Sequence, residues 1–264
     1  MANISILTLN CFDISLFTIT MRRNRLKRLA QEIIALSPDI VCLQEINFFD
    51  TLALMQKTFL QAGYRVFPAG NKRILNRGGL FSATKLPVKN IEYVKYKNQG
   101  SLFALDIFER LSERGYHVLS FTVRGKKLTV INTHLHCPFG EYDSSVPKKT
   151  SLDQYRQILT QTSPEKRFVL TGDLNIPPNN AIYKDLSRIF RDPLSQTKRV
   201  TLTTTNTHRH HLTKFIGRID YTLLSPDLMR KAKAKIIFNK PVVEHDGTKY
   251  HLSDHFGVLT EFSL

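Results

Sequence analysis

Five apolar runs of the chain end on, or border, residues that bind cations or move protons. Leu170-Thr171 leads into Gly172-Asp173-Leu174-Asn175, and Ser253-Asp254-His255 precedes the last apolar run. Asn10 follows Ile4 to Leu9, Gln44-Glu45 follows Asp39 to Leu43, and His134 follows Leu128 to Thr133. Such a recurrence predicts one convergent site. Hard divalent cations take carboxylate and amide oxygens. Glu45, Asn10, Asp173 and Asp254 could supply them, so Mg2+ is the expected ion and Mn2+ the second fit. His255, beside Asp254, can hold a proton or bond a phosphoryl oxygen, and His134 can donate to the same anion. Asp220 lies inside the apolar stretch 218–224, where a buried carboxylate needs a partner and an imidazole is the natural one. Other residues have plainer readings. His136 falls past the strand that ends at His134. His208, His210 and His211 stand in a Thr-rich stretch without a carboxylate, which reads as a solvated loop.

The elements that must hold these residues follow from periodicity. Strand-like runs occupy 3–10, 39–45, 64–68, 78–84, 91–97, 103–108, 116–124, 127–134, 167–172, 200–205, 218–224, 235–239 and 256–262. Leu26, Leu29, Ile33, Ile34 and Leu36 recur at helical spacing over 22–36, with basic residues on the other face and Pro38 closing the helix. Helices are also expected at 50–62, ending on Gly63, and at 151–161 and 180–190. Gly125-Lys126 suits a hairpin turn, and 137–150 reads as a loop. With no repeat or linker-like tract, residues 1–264 are expected to form one domain. Two sets of strands, each followed by helices, suggest an α/β chain with two sheets packed face to face and helices outside.

Bulk properties narrow the function. The chain has 264 residues, 42% hydrophobic and 23% charged, ordinary for a globular protein with a substantial core. No apolar run approaches the roughly 20 residues of a membrane span. The N-terminal run has no basic segment before it and reads as a first strand, so a cytoplasmic location is expected. Cys11, Cys42 and Cys137 show no metal-binding spacing and read as free thiols. Lys and Arg number 38 against 22 Asp and Glu, a net charge of +16. That excess favours an anionic, phosphate-bearing partner: nucleic acid, a phospholipid headgroup or an anionic membrane surface. It is concentrated at Arg22, Arg23, Arg25, Lys27 and Arg28, at Arg230, Lys231, Lys233 and Lys235, and between them at Lys198, Arg199, Arg209, Lys214 and Arg218. Aromatics are not interleaved with these clusters, which argues against a stacking platform for single strands. The apolar stretch 14–19 reads as a core-facing loop or helix, with a peripheral membrane contact as its alternative.

Taken in order, Thr8-Leu9-Asn10, Leu43-Gln44-Glu45, Gly78-Gly79-Leu80-Phe81-Ser82, Asn132-Thr133-His134-Leu135, Gly172-Asp173-Leu174-Asn175, Arg218-Ile219-Asp220-Tyr221 and Ser253-Asp254-His255 resemble the endonuclease/exonuclease/phosphatase superfamily, with its deoxyribonuclease-I-like fold. The blocks span nearly the whole chain. The resemblance implies an α/β fold, a four-layered αββα sandwich of two packed mixed sheets with helices outside, with the site at one end of the two sheets, and metal-assisted attack of water on a phosphate ester. It implies Glu45 as the principal Mg2+ ligand, helped by Asn10, with Asp254 completing the site. It implies Asp173 and Asn175 as the pair that positions and activates water, and His134 and His255 as contacts of the scissile phosphate. Asp220 would orient His255, and either Asp173 or His255 would take the proton. Leu9-Asn10-Cys11-Phe12 and Thr133-His134-Leu135-His136 look similar to neutral sphingomyelinases, whereas the absence of Trp disfavours the AP-endonuclease branch. Met21-Arg22-Arg23 is more basic than a zwitterionic headgroup requires, and 137–150 keeps little of that pattern beyond Tyr142. A phosphodiesterase acting on a phospholipid-type substrate is therefore the leading expectation. A Mg2+-dependent nuclease is the alternative, and a non-catalytic module of the same fold the third.

Overall fold

The computed structural model describes residues 2–13, 19–68, 70–72, 75–101, 106–137, 148–161, 167–208, 215–244 and 246–264. The stretch 14–18, Tyr142, most of the 137–150 loop, and Arg209, His210, His211 and Lys214 lie outside the described residues. In chain order the elements run β1 (Asn3–Asn10), α1 (Ile19–Leu36), β2 (Ile40–Gln44), α2 (Phe49–Gln61), β3 (Arg65–Pro68), β4 (Asn71–Lys72), β5 (Leu75–Asn76), β6 (Phe81–Thr84) and β7 (Val88–Lys95). They continue with α3 (Asp106–Leu111), β8 (Gly115–Val123), β9 (Lys126–His134), α4 (Lys149–Leu159), β10 (Arg167–Asp173), α5 (Ala181–Ile189), β11 (Asp220–Leu224), β12 (Lys233–Ile237), β13 (Val242–Val243), β14 (Lys249–Tyr250) and β15 (Gly257–Ser263).

Two mixed sheets dominate. One has six strands in the order β12-β15-β1-β2-β6-β3, and the other five in the order β11-β10-β9-β8-β7. Each sheet holds one parallel pair, β1 with β2 and β9 with β10, among antiparallel neighbours. The period-2 alternation of side chains sorts the core into three slabs. Leu7, Leu9, Val41 and Leu43 face α1 and α2, packing on Leu26, Leu29, Met55 and Phe59. Ile4, Ile6, Ile40 and Cys42 face the second sheet and meet Leu119, Phe121, Leu128, Val130 and Val169. Ile131, Phe168 and Leu170 face outward onto Ile158 of α4 and Ile182 and Leu186 of α5. The result is the expected αββα sandwich.

The inward-facing residues change character along the strands. On β1 the order is Ile4, Ile6, Thr8, Asn10; on β9 it is Leu128, Val130, Asn132, His134; on β10 it is Val169, Thr171, Asp173. Each parallel-running strand thus starts apolar and ends polar at the same end of the sandwich. Only partnered polar groups can be buried there without a large cost. Thr171 Oγ1 and Thr222 Oγ1 accordingly pair at 3.1 Å.

Local structure departs from the periodicity in three places. Asp106–Leu111 is a helix where 103–108 reads as a strand, and 103–105 lie outside the described residues. Residues 200–205 form turns with one bridging residue, Leu202, which meets Gly217 and His255. Its Thr run has β-propensity but no alternating apolar face to bury. Residues 77–79 form a short 3-10 turn, and the strand begins at Phe81. Gly78 and Gly79 both have positive φ, and a Cβ on Gly79 would lie 2.4 Å from Asn47 Oδ1.

Candidate active site

The polar ends of both sheets meet in one place. The six-stranded sheet delivers Asn10 at the end of β1, Glu45 just past β2, and Asp254 and His255 just before β15. The five-stranded sheet delivers His134 at the end of β9, Asp173 at the end of β10, Asn175 two residues on, and Asp220 at the start of β11. Gly172 makes the β9–β10 junction close: a Cβ there would stand 1.9 Å from Thr133 O, and its φ is +138°. Phe12, Glu45 and Asn175 all adopt left-handed φ of 52–53°. Non-glycine residues rarely hold this conformation, and such strain gathers where surrounding contacts fix a side chain for a task.

The side chains form one connected set. Asn10 Nδ2 donates to Glu45 Oε1 at 2.8 Å and to Asp173 Oδ2 at 3.0 Å. His134 Nε2 lies 3.4 Å from Asp173 Oδ2 and 4.0 Å from Glu45 Oε1. Asp173 Oδ1 accepts from the Asn175 backbone N–H at 2.9 Å, and Asn175 Nδ2 donates to Leu135 O at 3.0 Å. His255 Nδ1 pairs with Asp220 Oδ2 at 2.9 Å and lies 3.9 Å from Asp173 Oδ2. Asp220 and His255 are thus the partners expected. Asp254 flanks the set, its Oδ1 accepting from Ser253 Oγ at 3.3 Å. All the sequence-predicted residues are therefore brought to one end of the sandwich, with Asp254 at its margin. Glu45 is neither fully exposed nor buried, with 21% of its side chain accessible.

The electrostatics follow from burial and like charge. Burial, then repulsion from Asp220, pushes the Asp173 carboxyl up to about 7. Burial, with repulsion from Glu45 acting against attraction to His255, raises Asp254 to about 6. His134 is held well below its usual value by burial and by the Arg114 charge, so its imidazole is neutral. Burial would also depress His255, but the charges of Asp220, Asp254 and Asp173 outweigh it and hold the imidazole well above its usual value. The site thus pairs a neutral imidazole with a cationic one.

This donor set fits a divalent cation. Glu45 and Asp173 share the Asn10 amide with no thiolate beside them, and Asp173 and, at the margin, Asp254 are raised because they are undersolvated and face other carboxylates. Buried Asp220 Oδ1 has no hydrogen-bond partner. Asp173, Asp220 and His255 form a cluster whose ligand atoms lie within 4.8 Å of one another. Asn10 now turns its Oδ1 to the Phe12 N–H at 3.0 Å.

Several residues near the site have partners that the sequence did not show. Arg22 and Arg25 count towards the basic cluster of α1, yet both are buried. Arg22 pairs with Asp50 at 2.8 Å and Asp13 at 3.2 Å and covers the Phe48 ring at 4.2 Å. Arg25 donates to the carbonyls of Cys11, Phe12 and Leu252 at 2.9, 2.6 and 2.6 Å, tying the segment after Asn10 to the one before Asp254. Asp13 accepts from the N–H groups of Asn47 and Phe48 and from Thr51. His136 lies past the end of β9, as expected, and is buried, with Nδ1 2.6 Å from Glu109 Oε2. Glu109 also meets Arg114, which donates to Leu135 O at 3.1 Å. His208 is half-buried, with Nε2 bonded to His251 O, so a solvated loop is the wrong account of it. The sequence signal available for Arg22 and Arg25 was their spacing: both fall near the apolar stripe of α1.

Comparisons with known proteins agree with this architecture. A sequence profile described as the endonuclease/exonuclease/phosphatase family matches residues 8–255. The chain is 23% identical to the inositol phosphosphingolipids phospholipase C of Schizosaccharomyces pombe, over 98% of this chain and 68% of that protein. It superposes on sphingomyelinase C from Streptomyces griseocarneus with a TM-score of 0.74 at 18% identity, covering all of both chains (100% each). It superposes on D. rerio TDP2, solved with a single-strand DNA product, with a TM-score of 0.73 at 15% identity, again covering 100% of each. With the profile matched from the Thr8 block to His255 and the two sheets converging on the same residues, the chain belongs to the endonuclease/exonuclease/phosphatase family.

Proposed function

We propose that this protein is a divalent-cation-dependent phosphodiesterase, with Mg2+ as its ion and a phospholipid-type, sphingomyelin-like phosphodiester as its substrate. The observation that carries the reading is the joint of the two sheets. There Asn10 bridges Glu45 and Asp173 while a neutral His134 and an Asp220-held His255 stand beside them. Glu45, Asn10 and Asp254 would hold the cation, which when bound polarises a phosphoryl oxygen and offsets its charge.

The chain's own groups divide the remaining work. Asp173 and Asn175 position the attacking water. A carboxylate that keeps its proton affinity near neutral pH suits a general base, and His255 already carries its proton, so Asp173 takes the proton of that water. Asp220 holds His255 by Nδ1 and leaves Nε2 for the phosphoryl oxygens. His134, neutral, donates to the same anion.

Two further points favour a lipid. Arg22 and Arg25 are engaged within the fold, so the basic start of α1 presents fewer free cations than its composition suggests. The relative from S. pombe is named for a sphingolipid substrate. The competing reading, a nuclease, draws on the exposed Arg23, Lys27, Arg28, Lys198, Arg199, Arg230, Lys231, Lys233 and Lys235 and on the DNA product bound by TDP2. Headgroup release from vesicles of sphingomyelin or inositol phosphosphingolipid, set beside cleavage of plasmid and single-stranded DNA, all with Mg2+, decides between them. Lipid turnover without DNA cleavage is expected; the opposite pattern reverses the assignment. Glu45→Gln with full remaining biological activity, and no phosphodiester turnover by the unaltered protein, would revive the non-catalytic module.

A further inference from the structure

Gln44 and Asn132 directly precede the site in two of the sequence blocks, yet neither reaches the reacting groups. Both point into the space between the sheets, one layer below Glu45 and His134, and both are fully buried. Gln44 Nε2 donates to Asn132 Oδ1 at 2.7 Å, to Thr8 Oγ1 at 3.1 Å and to Cys42 O at 3.1 Å. Asn132 Nδ2 donates across the interface to Ser82 Oγ at 3.0 Å, Phe81 O at 3.2 Å and Leu43 O at 3.3 Å. Ser82 Oγ in turn meets His117 Nδ1 at 2.9 Å. Burial drives His117 down to about 3, so it is neutral and its Nδ1 can accept from the serine. Gln44 thus donates to Asn132 and Asn132 to Ser82, and the Ser82–His117 hydrogen bond completes the chain.

The layer therefore crosses from β2 to β9, back to β6 and across again to β8. Beneath it the sheets meet through Ile4, Ile6, Ile40, Leu128, Val130 and Val169, which are apolar. Apolar contact is non-directional and tolerates sliding. Above it the sheets meet through Asn10–Asp173 and His255–Asp220, whose groups must rearrange when a cation or substrate binds. A shift of one residue along a strand is about 3.3 Å, enough to separate His134 from Glu45. We infer that the Gln44–Asn132–Ser82–His117 layer is a positioning device that fixes the register of the two sheets and so aligns the two halves of the site. This rests on the phosphodiesterase reading for its kinetic consequence but not for its effect on cation binding.

The test exchanges the amides. Gln44→Asn withdraws the carboxamide by one methylene and breaks the contact; Asn132→Gln crowds it; the double exchange Gln44→Asn/Asn132→Gln restores one long and one short amide facing each other. Mn2+ binding to each variant is read by electron paramagnetic resonance of the free ion, below the melting temperature found by circular dichroism. Each single variant is expected to bind Mn2+ about 10-fold more weakly, the scale seen when groups that orient metal ligands are lost. It is also expected to lose about 10- to 100-fold in kcat with KM within threefold, and the double variant to recover both. Ser82→Ala, a smaller change at the far end of the layer, is expected to weaken Mn2+ binding in the same direction. Single variants that melt lower yet bind Mn2+ as the unaltered protein does would overturn the inference. So would a double variant no better than the worse single. Absence of phosphodiester turnover with the Mn2+ pattern intact would count against the function and not against the positioning role.

Discussion

At the scale of single residues, the site is a balance of crowded negative charge against one protonated imidazole. Asp173→Asn or His255→Ala is expected to lower kcat by about 10²- to 10⁴-fold, the range of a lost acid–base group, with the circular dichroism spectrum unchanged. A variant that unfolds would mark its residue as structural. The Asp220 charge raises His255, so the ion pair's stability is fully present below the unfolded imidazole value of about 6.5. It is lost as pH rises through the higher folded value. Asp220→Asn therefore moves the alkaline limb of the activity profile to lower pH; an unmoved limb would detach Asp220 from His255. Asp173 and Asp254 shift stability in the same direction with pH, but because their charged forms are disfavoured in the fold. Their folded values, about 7 and about 6, exceed the unfolded carboxylate value of about 3.9. Stability is thus lost as pH rises between those values, and a cation that displaces the protons restores it. Mg2+ should raise the melting temperature more at pH 8 than at pH 5; equal shifts would place the ion elsewhere.

At the scale of elements, strand ends do the positioning and their turns are tightly specified. Gly172→Ala would press a Cβ against Thr133 O, 1.9 Å away, and split β9 from β10 below His134 and Asp173. A loss of about 3 kcal/mol in denaturant-derived stability is expected, together with activity. Asn180 supplies the contrast. It caps α5, which carries none of the site residues, by accepting from Ile182 N at 3.0 Å. Asn180→Ala should cost about 1 kcal/mol and leave kcat unchanged. The legibility of elements from sequence was uneven for the same physical reason. Strands such as Asn3–Asn10 and Arg167–Asp173 carry long runs of packed side chains and were read within a residue or two. Asp106–Leu111 and 200–205 were misread, because short polar segments take their conformation from neighbours and not from their own periodicity.

At the scale of the whole molecule, net charge sets encounter more than chemistry. The +16 excess should draw the protein to anionic surfaces and weaken with salt. Sphingomyelin hydrolysis on vesicles is expected to rise with added phosphatidylserine and to fall between 50 and about 300 mM NaCl, whereas hydrolysis of a short-chain soluble substrate should hardly change. Equal salt dependence of both would shift the charge effect to the site itself. No helix among the described residues is long and apolar enough to cross a membrane.

Beside the αββα layering that the resemblance of its ordered blocks implied, the sequence by itself determined the residue types at the strand ends and the expectation of an oxygen-rich cation site. Those properties are local: alternation along a strand and the identity of its last residue. It could not show that Arg22 and Arg25 turn inward, that His136 binds Glu109, or that Gln44 and Asn132 join the sheets. Each of those depends on two segments far apart in the chain, as with Arg25 and Leu252 or Gln44 and Asn132. Only the packing of one sheet on the other decided which polar side chains meet, because a buried hydrogen bond is fixed by the position of both its partners.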